Sequence, residues 1–124
     1  MHTNRQTIAN DEVLVSKALL NAADRLEISN AELAKIIGIS EAKVSKIDNE
    51  KAQINSDKKE FELALLFIRL FRSLDAITAG DDHASACWMR NKNTAIDDIP
   101  LRYIETITGL VDVVTYLDSR RARI

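Results

Sequence analysis

A chain of 124 residues with one proline and three glycines has few places at which a helix must stop. Proline and glycine interrupt helices most strongly, so their scarcity favours long helices over many short strands. The fold class expected is all-α. Apolar residues make up 46% of the chain and charged residues 29%, enough to build the core of a soluble globular protein.

Apolar spacing divides the chain. Residues 1–10 are polar and unpatterned and read as a flexible arm. Val13, Leu14, Ala18, Leu19, Ala22 and Leu26 recur at helical spacing and predict a first helix over residues 11–26. Ser29 or Asn30 is placed to cap a second, which Gly38 ends, and Ser40 to cap a third with Val44 and Ile47 inward. A polar loop over residues 49–55 leads to a long helix that starts at Ser56 or Asp57 and ends near Ala79, about 35 Å long. Its apolar residues, from Phe61 to Ile77, cover most of its circumference, which predicts burial between two subdomains or at a subunit interface. Beyond Gly80 the pattern predicts a helix over residues 82–90, a polar loop, a short helix begun by Pro100, and a last helix capped by Thr106 or Thr108.

Residues 30–50 carry the first motif. Two short helices that cross steeply need a small residue where they touch, a turn residue that accepts positive φ, and an apolar plug after it. Ala34, Gly38 and Ile39 meet these needs, and Val44 and Ile47 anchor the second helix. The segment NAELAKIIGISEAKVSKIDN resembles the helix-turn-helix of the Xre (Cro/repressor-like) family. In that family the second helix enters the DNA major groove. The resemblance implies a DNA-reading face of Ser40, Glu41, Lys43, Ser45, Lys46 and Asn49. Ser45 and Asn49 carry groups that hydrogen-bond base edges, and Lys43 and Lys46 reach phosphate or guanine. The bland alternative is a helical hairpin with a solvated lysine face.

The second motif is CWMRNKNTAIDDIPLRYIETITGLVDVVTYLDSR. Taken singly, Trp88 reads as the aromatic anchor of a C-terminal core, Pro100 as a helix start, and Gly109 as a close backbone approach. Taken in order, Trp88, Asn93, Pro100, Leu101, Thr106, Gly109, Val113 and Leu117 resemble the toxin-binding domain of the Xre/MbcA/ParS antitoxin family. Asp97 and Asp98 stand where that family's loop is often glycine-rich. Together the resemblances imply a Cro/repressor-like helix-turn-helix over residues 11–55, a connecting and dimerisation helix over 56–80, and a small helical toxin-binding domain over 81–124. They also imply a RES-type toxin partner acting on NAD, operator DNA and a homodimer. Trp88, Asn93, Pro100, Arg120, Arg121, Arg123 and the terminal Ile124 are then the toxin-binding candidates. Two readings of the tail stand side by side: its arginines reach a nucleotide pocket on the toxin, or they only complement a helix dipole.

The charge balance tempers the DNA reading. Net charge is −2, and between Lys35 and Lys59 six lysines face four acids. Phosphate neutralisation drives non-specific DNA affinity, so so small an excess points to weak binding per subunit and to dimerisation. Nothing in the chain predicts catalysis, a cofactor or a metal site. His83 follows two acids at a helix start, and Cys87 reads as a buried structural thiol beside Trp88. A single cysteine, no signal-like N-terminus and no membrane-length apolar run predict a cytoplasmic protein. The competing functional class is a stand-alone helix-turn-helix repressor whose C-terminal half serves dimerisation.

Overall fold

The computed structural model describes residues 5–123. Within them lie seven helices and no strand: α1 (Arg5–Arg25), α2 (Asn30–Ile37), α3 (Glu41–Asp48), α4 (Lys59–Ile77), α5 (Asp82–Arg90), α6 (Pro100–Tyr103) and α7 (Ile107–Arg121). The all-α expectation holds.

Helix α1 starts earlier than the apolar pattern does. Residues 5–10, expected in a flexible arm, are its first turns; residues 1–4 lie outside the described residues. No breaker separates Arg5 from Arg25, and a helix nucleated on buried Leu19, Ala22 and Ala23 propagates through polar residues until one appears. Helix α2 opens with a capping box: Ser29 Oγ accepts from the Glu32 amide and the Glu32 carboxylate accepts from the Ser29 amide. Gly38, at φ +76°, ends it in the left-handed conformation that glycine adopts without strain. Ser40 then caps α3 by accepting from the Lys43 amide.

The loop between α3 and α4 is held by side chains. Ser16 Oγ accepts from the Ile54 amide at 2.9 Å, Glu12 from Ser56 at 2.8 Å, and Glu60 from Asn55 at 2.8 Å. Because Glu12 on α1 holds the Ser56 amide, the residues expected to open the long helix stay in a turn, and α4 begins at Lys59.

Helix α4 packs against α1, α2, α5 and α7. Ala64, Phe67, Leu70 and Leu74 are almost fully buried, and each large apolar side chain so buried contributes about 1.5–3 kcal/mol. The core is one continuous cluster, running from Leu19 on α1 through α4 to Leu117 on α7. The outward strip of α4 stays uncovered at Leu65, which is 46% exposed.

Met89 is fully buried in the C-terminal core, and Trp88 packs against that core only partly buried. The α6–α7 corner rests on Gly109. A Cβ there would sit 1.8 Å from the Tyr103 carbonyl oxygen, so the close approach expected of this glycine is present. Thr106 caps α7 by accepting from the Gly109 amide. Replacing Gly109 by alanine should therefore force the corner apart and destabilise the protein by about 1–3 kcal/mol, read as a lower urea midpoint. An unchanged midpoint would mean that α6 moves aside freely.

Candidate functional site

The exposed face of α3 is the first candidate surface. Glu41, Ser45, Lys46 and Asn49 are all exposed on it, and Ser40 sits exposed at its cap. Lys43 is the exception. Its Nζ lies 2.7 Å from Glu60 Oε2, and the two side chains are 22% and 7% exposed. Lys43, expected to face DNA, instead ties α3 to the first turn of α4. The same carboxylate oxygen of Glu60 accepts from the Asn55 amide, so one buried acid orients helix, loop and helix. The sequence offered no sign of this, because a glutamate at the start of a helix reads as a dipole partner. With Lys43 neutralised, Lys46 carries the positive charge of the exposed face beside Glu41 and Asp48.

The C-terminal candidates separate into those a partner can reach and those it cannot. Pro100 is buried at the first position of α6, so it shapes the loop and presents no surface. Asn93 is turned into its own loop: Oδ1 accepts from the Ala95 amide at 2.8 Å and from the Ile96 amide at 3.3 Å. Its backbone pairs with Asp98 across the turn. Asp97, where the family's loop is often glycine-rich, sits at φ +61°, a conformation that aspartate tolerates better than most residues. Trp88, Arg120, Arg121 and Arg123 have accessible surface, and Ile124 lies outside the described residues.

Trp88 and Arg120 are brought together through Tyr116, which the sequence reading did not single out. The Trp88 and Tyr116 rings stack at 6.4 Å with planes 10° apart. The Arg120 guanidinium lies over the Tyr116 ring at 5.8 Å and donates to its hydroxyl at 2.8 Å. Arg121 points elsewhere, into a groove between α1 and α4 with Leu14, Ala18, Leu65, Arg69 and Arg72. Cys87 is exposed rather than buried, with Sγ 3.6 Å from His83 Nε2, because its position on α5 faces away from the core that Ala86 and Met89 enter.

Two ion-pair sets join the surfaces. Arg90 at the end of α5 grips both carboxylate oxygens of Glu32 at 3.1 Å and donates to the Glu27 carbonyl at 2.6 Å. The Arg90 guanidinium, followed by the Ser29 cap bonds, holds the Glu32 carboxyl down at about 2 against the opposing effect of burial. Arg25, at the end of α1, bridges Asp75 and Asp82 and lies 4.7 Å over the Phe71 ring.

Comparison with known families follows this division. A family model described as the antitoxin Xre-like helix-turn-helix domain matches residues 11–69. A second, described as the antitoxin Xre/MbcA/ParS C-terminal toxin-binding domain, matches residues 73–123. The chain belongs to the Xre/MbcA/ParS antitoxins. It is thus the antitoxin of a toxin–antitoxin system, with a DNA-binding half and a toxin-binding half, and this is not a known enzyme family. The boundary between the two matches falls inside α4, so the antitoxin's halves share that helix. No curated protein matches the chain. Among the described residues, no helix is long and apolar enough to cross a membrane, and no group of three metal-ligating side chains comes together.

The two lysines of α3 should respond differently to charge reversal. Lys46→Glu is expected to leave the melting temperature unchanged and to lower operator affinity about tenfold or more in a gel shift. Lys43→Glu sets a second carboxylate against buried Glu60 and should destabilise the antitoxin by about 3 kcal/mol in denaturant unfolding. Equal stability of the two variants would show that the Lys43–Glu60 pair does not orient α3.

Glu32 predicts a pH signature. Its folded pKa is depressed, so its contribution is present above the usual carboxylate range and is lost as pH falls towards about 2. The stability gap between wild type and Glu32→Gln should be constant above about pH 5 and close as pH drops towards 2. A gap independent of pH would rule out the Arg90–Glu32 pair as its source.

Proposed function

We propose that this antitoxin neutralises a RES-type, NAD-targeting toxin by direct binding through its C-terminal half. It also represses its own operon by binding promoter DNA through the exposed face of α3. The observation that carries the reading is the pairing, on one core, of a capped recognition helix with an exposed polar face and a C-terminal half built as a toxin-binding domain. Lys46, Ser45 and Asn49 supply the DNA contacts, with Ser40 and Glu41 at the helix start. Trp88, Arg120 and Arg123 supply those to the toxin, while Asn93 and Pro100 hold the shape of the loop beside them.

The active form is a homodimer in the cytoplasm. A single exposed thiol suits a reducing compartment. The weak charge of one α3 face favours two-fold binding to a two-fold operator. An apolar surface suited to self-association is available. Leu14 on α1, Leu65 on α4 and Ile107 and Val111 on α7 are 64%, 46%, 57% and 43% exposed. Leu65 lines two neighbouring grooves, one shared with Leu14 and the other with Ile107.

Co-expression with the product of the neighbouring reading frame tests the whole reading. The antitoxin should rescue growth, co-purify with that protein, keep cellular NAD from falling, and shift its own promoter DNA. Light scattering should give a dimer for wild type and a monomer for Leu65→Asp. A neighbour that neither depletes NAD nor co-purifies would sink the RES assignment. A wild-type monomer that binds promoter DNA at full strength would sink the dimer.

A further inference from the structure

We propose that Trp88, Tyr116 and Arg120 act as one preassembled contact and form the energetic centre of the toxin interface. The inference rests on the reading that the C-terminal half binds a toxin, and it assigns the part of that half which carries the affinity.

The three side chains form a connected ladder: two stacked rings and a guanidinium held at the hydroxyl end of the second. Trp88 on α5 stacks on Tyr116 of α7, and Arg120, one helical turn further on, lies 5.8 Å from the Tyr116 ring centre and donates to its hydroxyl at 2.8 Å. Trp88 and Tyr116 also pack, partly buried, against the core. The core of this half is closed by Met89, Leu110, Val113 and Leu117, each 1% exposed or less. The sole tryptophan therefore stands partly exposed although a fully buried position lies next to it in the chain.

Tryptophan, tyrosine and arginine are the residues most enriched among those that dominate protein–protein affinity. Stacking fixes their rotamers before binding, so little side-chain entropy remains to be lost when the partner arrives. Each member holds the next: without Tyr116 the indole loses its stacking surface and the guanidinium loses both its ring and its acceptor. The chemistry also describes the partner. A partly exposed indole and an exposed guanidinium fit a toxin pocket that is apolar at its floor and carries carboxylates at its rim.

The test is calorimetric binding of the full-length antitoxin to the purified toxin encoded by the neighbouring reading frame. Trp88→Ala and Arg120→Ala should each weaken binding about 30-fold. The double variant should weaken it by less than the product of the two, because the ladder is already broken by either change. Arg120→Lys keeps the charge on an exposed site but loses the guanidinium fork that reaches the Tyr116 hydroxyl, and should lose a similar factor. Tyr116→Phe keeps the ring and removes the hydroxyl that Arg120 holds, and should weaken binding by a smaller factor. Circular dichroism melting of each variant confirms that it is folded, and the exposed Arg120→Lys change keeps the test usable if Trp88→Ala is not. Folded Arg120→Lys and Arg120→Ala variants with wild-type affinity would overturn the proposal, as would strictly multiplicative losses at Trp88 and Arg120. A wild-type chain that does not bind the toxin would overturn the functional reading and this assignment with it, whereas a tight wild-type complex indifferent to the ladder overturns this assignment alone.

Discussion

Helix α4 has apolar side chains around most of its circumference, and such a helix is stable in water only if neighbours cover it on several sides. Here α1 and α2 cover it from the DNA-binding half, and α5 and α7 from the toxin-binding half. Phe67 and Leu70 are fully buried as a result, and the core has no seam between the halves. The recognition helix therefore stands on a core to which the toxin-binding half contributes. The helix-turn-helix half and the toxin-binding half share one folding unit.

Polar contacts at the joints add geometry to that packing. Glu60 is the most buried acid of the set, and it orients α3 through Lys43 and the preceding loop through Asn55. Ser73, fully buried on α4, donates to Asp118 of α7, and the same carboxylate receives Arg69. Glu32 both caps α2 and receives Arg90 from α5, so the start of the helix-turn-helix and the end of α5 are held by one carboxylate. The more exposed of these pairs add little stability individually. Their effect is to fix how the exposed face of α3 is angled to the surface that carries Trp88.

Much of the fold was legible in the sequence because it depends on interactions within one turn of chain. Ser40 as a cap, Gly38 as a left-handed stop and Pro100 as a helix start follow from local hydrogen bonding and φ preference, while the choice of Ser29 over Asn30 and of Thr106 over Thr108 was left to the structure. The inward faces of Val44, Ile47, Leu110, Val113 and Leu117 follow from helical period. The first residues of α1 escape the apolar pattern for the same reason: polar residues show no apolar period, yet nothing in them stops a helix.

The candidate surfaces were only partly legible. Sequence alone determined that α3 presents Ser45, Lys46 and Asn49, because their spacing places them opposite Val44 and Ile47 on a short helix. It also determined that Trp88 and the C-terminal arginines belong to the second half of the molecule. Tertiary structure decided which of these groups are free to act. It gave Lys43 to Glu60, 17 positions away, left Pro100 buried, and exposed Cys87. It also joined Trp88 to Arg120 through Tyr116. Periodicity records which side of a helix a residue occupies, but the partner waiting there is set by where distant helices cross.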